Sequence, residues 1–147
     1  MFDSIVVGTD GSETANEAVR QATELAKTLG ATVYLVSAFE PVGNQRLREE
    51  RQQAPEDMQW MINAREDVNS TLAAAEEKIK QAGVPVETFA RQGDPADAIL
   101  DVAEEQNADL IVVGNKGMSG AKRFLLGSVP NKVSHHAPSS VMIIRTT

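Results

Sequence analysis

The sequence predicts an α/β fold, a doubly wound parallel sheet of about five strands with helices on both faces. Short apolar runs alternate with helical patterns from one end of the chain to the other. That alternation is typical of parallel strands joined by right-handed helical crossovers. The 147 residues show no internal repeat or linker, so we expect a single domain over residues 1–147.

The first strand and helix are marked by their ends. The strand is predicted at Ile5–Gly8, where IVVG is followed by the turn residues TDGS. Apolar residues recur at helical spacing over Thr14–Leu29. Thr14 and Glu17 match a capping box at the start of this helix, and Gly30 marks its end.

The segment after the second strand allows two forms. A β-branched and aromatic run predicts that strand at Thr32–Phe39. Pro41–Glu56 is polar and charged, and it is predicted to form a loop or a short extra helix. A long helix is then predicted, because one apolar face runs from Asp57 as far as Gly83.

The second half of the chain continues the alternation. Val84–Arg91 alternates like a strand, with a proline at its second position. Asp94 as N-cap and Pro95 at the first helical position predict the start of a helix. Asp109–Gly114 is nearly all apolar, as expected of a central strand covered on both faces. The last two predicted elements are a short helix at Ser128–His136 and a strand at Ser140–Ile144.

The composition excludes several classes of partner. A formal net charge of −7 makes the chain a poor candidate for nonspecific binding to DNA, RNA or anionic lipid. No apolar run approaches the ~20 residues that span a bilayer, and the start of the chain does not resemble a signal peptide. The absence of cysteine excludes disulfides and thiolate metal sites. We therefore expect a cytoplasmic protein that binds neither nucleic acid nor membranes.

The segment GNKGMSGAKRFLLGS, residues 114–128, joins a predicted strand to a predicted helix. Gly114 and Gly117 suit a tight turn with exposed backbone amides. Gly127 and Ser128 open the helix, where unpaired N–H groups carry partial positive charge and favour a phosphate. Positive charge around the loop comes from Lys116, Lys122 and Arg123. Glycines also mark ordinary turns, and neither GxxxxGK[ST] nor GxGxxG is present, so spacing alone leaves phosphate binding open.

A longer motif makes the segment specific. The segment begins with GNKG at residues 114–117 and ends with GS at 127–128, and nine residues separate the two. This spacing matches G-x2-G-x9-G-[ST], the signature of nucleotide-binding universal stress proteins. The opening IVVGTDGSETANEAV resembles that family's first strand and loop, and GDPA at residues 93–96 resembles the start of its third helix. The similarity covers essentially the whole chain.

The resemblance implies a Rossmann-like fold with strand order 3-2-1-4-5 and an adenine nucleotide, ATP or AMP, between the first and fourth strands. Asp10 would then contact the ribose or the adenine side, and Ala38 would back the adenine ring. The phosphates would be wrapped by backbone amides and one hydroxyl of the glycine segment. The site implied in this way comprises Gly8, Thr9, Asp10, Ala38, Val113, Gly114, Asn115, Lys116, Gly117, Gly127, Ser128 and Val129.

Two residues depart from the family pattern. Gly8 stands where many ATP-binding members have proline, which suggests a freer turn and a roomier base pocket. Pro130 stands where some members have a hydroxyl residue, so one contact to phosphate or sugar is missing. Some mycobacterial relatives with a similar GTDGS and GN-x-G pattern are associated with cyclic AMP, which keeps that ligand open beside ATP and AMP.

Three aspartates are candidates for contact with a nucleotide-bound metal. Asp3 and Asp109 precede their strands and should lie at the far end of the sheet. Asp10 alone is placed to make an indirect contact to Mg²⁺ or Mn²⁺ carried by the nucleotide. It has an alternative role, because Asp-Gly-Ser before a helix also supports a turn.

Three functions fit these features. The first is a regulator or sensor whose bound nucleotide alters its surface for a protein partner that the sequence does not name. The second is a slow ATPase or self-phosphorylating protein, for which no histidine base or carboxylate pair is placed beside the loop. The third is a structural dimer with an empty pocket. The short apolar strand Ser140–Ile144 predicts pairing at a sheet edge, and the resemblance implies a homodimer through it.

Overall fold

The structure is a computed structural model that describes residues 2–39, 65–115 and 128–146. Within these ranges the chain alternates strictly between five strands and four helices. The strands are β1 (Ser4–Gly8), β2 (Thr32–Phe39), β3 (Val86–Gln92), β4 (Leu110–Gly114) and β5 (Ser140–Ile144). The helices are α1 (Glu13–Leu29), α2 (Arg65–Gln81), α3 (Pro95–Glu105) and α4 (Ser128–His136).

The strands form one parallel sheet in the order β3-β2-β1-β4-β5. The predicted fold class and the strand order implied by the family resemblance are therefore confirmed. The chain winds outward from β1 to β3 and then crosses to β4 on the other side of β1. The strand order thus reverses between β1 and β4, and such a switch point opens a crevice at the carboxyl ends of the two strands.

The core is divided between the two faces of the sheet. On one face α1 and α2 pack over strand residues such as Ile5, Val7 and Leu35. On the other face α3 and α4 pack over residues that include Val6 and Ile111. Side chains alternate between faces along a strand, and residues 5–7 of β1 and 110–113 of β4 are accordingly apolar and buried at every position. This double burial holds the ends of β1 and β4 in place.

The start of α1 differs from the prediction. The N-cap is Ser12, whose Oγ accepts a 3.2 Å hydrogen bond from the amide of Ala15. The capping box assigned to Thr14 and Glu17 is wrong, because the residue three places after the cap is Ala15 and cannot reach back to the cap amide. Glu17 pairs with Arg20 instead. At the other end Gly30 is left-handed at φ 69°, as predicted for a helix stop.

Other boundaries agree closely with the prediction. β3 begins at Val86, two residues later than predicted, and Pro85 before it has no N–H to donate but still accepts a 2.9 Å hydrogen bond from the amide of Val33. Asp94 caps α3 as predicted, accepting a 3.1 Å hydrogen bond from the amide of Asp97. The predictions for 41–56 and for the start of the long helix at 57–64 lie outside the described residues. No helix in the described ranges is long and apolar enough to cross a membrane.

Candidate functional site

The carboxyl ends of β1 and β4 lie side by side and border a small, partly open cavity. Its volume is about 20 Å³, which is room for about one water molecule. Four predicted site residues contribute to its wall. The lining consists of Gly8, Thr14, Ala15, Ala18, Ile99, Val113, Gly114, Val129 and Pro130.

Gly8, the last residue of β1, is closely covered by α3. A Cβ atom at this position would lie 2.5 Å from Cδ1 of Ile99, well inside contact distance. The space that glycine leaves is therefore filled by the tip of Ile99. The expectation that Gly8 makes the base pocket roomier is wrong, because that volume belongs to the core.

Thr9 is buried and holds the turn after β1. Its amide donates to the carbonyl of Val36 at 2.9 Å, and its carbonyl accepts from Ser37 Oγ at 2.6 Å. Its own Oγ1 accepts from the amide of Gly11 at 3.1 Å, where φ is +83°. Thr9 thus sets the path of the chain at the site and does not line the cavity.

Asp10 is half-buried and makes a local turn. Its Oδ1 accepts a 2.9 Å hydrogen bond from the amide of Ser12, the residue that caps α1. Asp10 therefore does support a turn. This turn places its carboxylate where the strands of the sheet have their carboxyl ends, a side of the sheet that we call the carboxyl edge; the side where the strands begin is the amino edge. Asp109 lies at the opposite edge, where it binds the amides of Asp3 and Ser4 at 2.9 and 3.1 Å. The prediction that Asp3 and Asp109 lie at the far end of the sheet is confirmed.

The residue that follows β4 is tied to the end of the chain. The Asn115 amide donates to the carbonyl of Ile144 at 2.8 Å. Its side-chain Oδ1 accepts from the amide of Thr146 at 2.9 Å. Ser128 is exposed at the first position of α4. The predicted site residues Lys116, Gly117 and Gly127 lie outside the described residues, as do the basic residues 122 and 123.

Ala38 lies apart from the cavity. It is half-buried near the end of β2 and packs with the core cluster under α3, near Tyr34 and Phe89. Its register partner on β3 is Arg91. Ala38 therefore lies on β2, the strand next to β1, and not at the crevice between β1 and β4.

Lys132 of α4 is paired with two carboxylates at the start of α3. Lys132 contacts Asp97 at 2.8 Å and Asp94 at 3.4 Å, which ties α4 to the first turn of α3. These partners, chiefly the hydrogen bond to Asp97, raise the pKa of Lys132 above its ordinary value. Among the described residues no three His, Asp or Glu side chains converge as a metal site would require.

A much wider groove, of about 790 Å³, lies between α1 and α2. Its wall carries none of the predicted site residues, and charged side chains of α1 such as Glu17, Arg20 and Glu24 line it. We place the candidate site at the small cavity despite its size, because the strand ends, the glycines and the start of α4 meet there.

Sequence reasoning missed several residues of this edge. Ala15 and Ala18 lie on the buried face of α1, where their small size lets the helix approach the strand ends. Ile99 reaches the cavity because α3 packs across β1, and no local sequence pattern predicts such a contact. The missed residues are Thr14, Ala15, Ala18 and Ile99 in the cavity wall and Thr146 beside it.

The strand order and the glycines on both sides of the switch point define a Rossmann-like, doubly wound α/β domain. The sequence matches the profile of the universal stress protein family over residues 1–145. The chain belongs to the universal stress protein family.

Relatives and solved structures agree with this membership. A universal stress protein of Mycobacterium tuberculosis is 36% identical over 149 residues, covering 99% of this chain and 98% of the relative. A universal stress protein solved in complex with cAMP has a TM-score of 0.72 and 30% identity, with 99% of this chain and 98% of that chain covered. A universal stress protein from Archaeoglobus fulgidus, solved in complex with dAMP, has a TM-score of 0.68 and 28% identity, with 98% of each chain covered.

Proposed function

We propose that this chain is a single-domain cytoplasmic regulator or sensor that binds an adenine nucleotide across the carboxyl ends of β1 and β4. The observation that carries the proposal is a pair of glycines. Gly8 and Gly114 end the two strands that flank the switch point, and both line the same cavity. Ligands of open α/β sheets bind over the carboxyl ends of the strands at such a switch point.

The two neighbours solved with ligands support the choice of ligand class. One was solved with cAMP and the other with dAMP, and these ligands share an adenine base and a single phosphate. The proposal therefore commits to adenosine phosphates. ATP and AMP remain the ligands that the glycine signature favours, and cAMP is the alternative that the neighbour at 30% identity supports.

The ligand would lie over the edge of the sheet. The cavity holds only about one water, so a nucleotide would rest across the strand ends with its phosphate toward α4. Ser128 is exposed at the first position of that helix, and Val129 and Pro130 close the cavity wall beneath it. Asp10, at the same edge, would meet a metal ion carried by ATP through water.

Titration calorimetry with nucleotide-free protein tests the proposal, with ATP, AMP and cAMP as separate ligands. Gly114→Ala is the informative variant, because its Cβ would meet Thr146 Cγ2 at 3.4 Å and Thr14 O at 4.0 Å, ordinary contact distances. We expect the variant to keep its stability and to lose at least about tenfold in affinity, or about 1.4 kcal/mol.

Asp109→Asn is the matched control, since it alters a carboxylate at the opposite edge and should leave affinity unchanged. If wild-type protein gives no binding heat with any of the three nucleotides, the chain is a structural member of its family and the proposal fails.

We also propose that two copies pair through β5. This strand lies at the end of the sheet order, and Met142 and Ile143 on it are 37% and 39% exposed. An exposed apolar edge strand favours pairing with another chain. Light scattering should give twice the mass of one chain for the wild type and the mass of one chain for Ile143→Glu. A wild-type mass equal to one chain contradicts the dimer.

A further inference from the structure

The chain that follows β5 returns to the carboxyl edge and contacts the candidate site. Thr146 lies beside Gly114, with its Cγ2 3.4 Å from the position of a Cβ on that glycine. Its amide and its hydroxyl both donate to Asn115 Oδ1, at 2.9 and 3.1 Å. Together with the bond from the Asn115 amide to Ile144, three hydrogen bonds join the end of β4 to the end of β5.

These contacts fix the orientation of the Asn115 carboxamide. A backbone N–H can only donate, so the side-chain atom that faces the amide of Thr146 must be the oxygen. The two donors of Thr146 use both acceptor positions of that oxygen. The Nδ2 group therefore faces away from Thr146 and offers two N–H donors. In the described parts of the chain, Asn115 Nδ2 donates to no acceptor.

We propose that Thr146 is a positioning residue of the nucleotide site, which holds Asn115 so that its Nδ2 group donates to an oxygen of the ligand's ribose or phosphate. The proposal rests on the proposed function. Thr146 is suited to this role because its methyl group packs over Gly114 while its hydroxyl binds Asn115. Serine would keep the hydroxyl and valine would keep the shape.

Three variants separate the parts of this arrangement. Thr146→Val removes one hydrogen bond to Asn115 and keeps the backbone bond and the packing, whereas Thr146→Ser keeps both bonds. Asn115→Asp keeps the acceptor for both donors of Thr146 and replaces the Nδ2 donor by an acceptor that repels phosphate. Affinity for ATP, AMP and cAMP is measured by calorimetry, and the Thr146 amide is followed by NMR.

We expect Thr146→Val to weaken binding about fivefold, the effect of one neutral hydrogen bond, while Thr146→Ser stays near the wild type. Asn115→Asp should weaken binding by about tenfold or more, with the chemical shift of the Thr146 amide showing that its hydrogen bond is kept.

If wild-type protein binds a nucleotide and both Thr146→Val and Asn115→Asp bind it equally well, this inference is overturned while the proposed function stands. If Thr146→Val and Thr146→Ser lose affinity equally, the hydroxyl does not position Asn115 and the inference is again overturned. If the wild type binds none of the three nucleotides, the proposed function itself fails.

Discussion

The two edges of the sheet use similar residues for different purposes. At the amino edge the starts of β1, β2 and β4 are tied together. Asp109 accepts from the amides of Asp3 and Ser4, its own amide donates to the Ser4 carbonyl at 3.1 Å, and the amide of Thr32 donates to the Asp3 carbonyl at 3.0 Å. At the carboxyl edge, β1 and β4 end in Gly8 and Gly114.

The aspartates of the two edges show the difference most clearly. Asp109 uses both carboxylate oxygens to bind a segment more than a hundred residues away in the chain. Asp10 uses one oxygen to bind Ser12, two residues away. The aspartate of one edge therefore joins distant segments of the chain, whereas the aspartate of the other edge stabilises a local turn.

The largest expected effect comes from a substitution that tests how tightly α3 packs against the carboxyl end of β1. Gly8→Ala places a methyl group 2.5 Å from Ile99 Cδ1, so the buried Ile99 side chain or the backbone beside it must shift. Overpacking of this kind should lower the free energy of unfolding by about 2 kcal/mol, measured by urea denaturation. Ile99→Val alone should cost about 1 kcal/mol, because it removes one buried methyl group.

The double variant provides the control. Ile99→Val removes the Cδ1 atom that the new methyl group meets, so Gly8→Ala with Ile99→Val should be more stable than the sum of the two single changes predicts. Strict additivity would show that Ile99 does not fill the space beside Gly8. Gly114→Ala, at the same edge, provides a contrast with Gly8→Ala. Its Cβ would meet other atoms only at ordinary contact distances, so this substitution should not lower the free energy of unfolding.

The second prediction compares the two edges directly. Asp109→Ala removes the acceptor of two backbone hydrogen bonds and should lower the free energy of unfolding by about 1–2 kcal/mol, with nucleotide affinity unchanged. Asp10→Ala removes one local bond and should cost about 1 kcal/mol or less, yet it should weaken binding of ATP with Mg²⁺.

Urea denaturation and calorimetry measure the two effects separately. AMP serves as the control ligand, because it carries no chain of phosphates to hold the metal. If Asp109→Ala weakens nucleotide binding as much as Asp10→Ala does, the edges are not functionally distinct.

Local signals predicted most of the fold, and tertiary contacts account for what they missed. β2, α4 and β5 have the predicted bounds because local composition and flanking turn residues mark them in the sequence. The start of α1 was misplaced because several hydroxyl and carboxylate residues stand in a row before it. Which of them caps the helix depends on the turn that Asp10 makes with Ser12.

The candidate site was predicted less completely for the same reason. Gly8, Val113, Gly114 and Val129 were found because the glycine signature and the strand ends are visible in the sequence. The contacts of Ile99 and Thr146 depend on how α3 crosses β1 and where the chain runs after β5. Those are properties of packing between segments far apart in sequence.

The smallest expected effect concerns the pH dependence of α1, which borders the carboxyl edge. The hydrogen bond from Arg20, with a second from Gln21, lowers the pKa of Glu17 from 4.5 to about 2. A carboxyl group with a lowered pKa in the folded state stabilises it above pH 4.5, and this contribution is lost as the pH falls toward 2.

Glu17→Gln should therefore be slightly less stable than the wild type at pH 7, by the small amount typical of exposed ion pairs, and the difference should vanish as the pH approaches 2. Urea denaturation of both proteins from pH 7 to pH 2 measures it. A difference that stays constant over this range would mean that the ion pair with Arg20 does not stabilise α1. Because the pair lies outside the cavity wall, nucleotide affinity at pH 7 should be the same in both proteins.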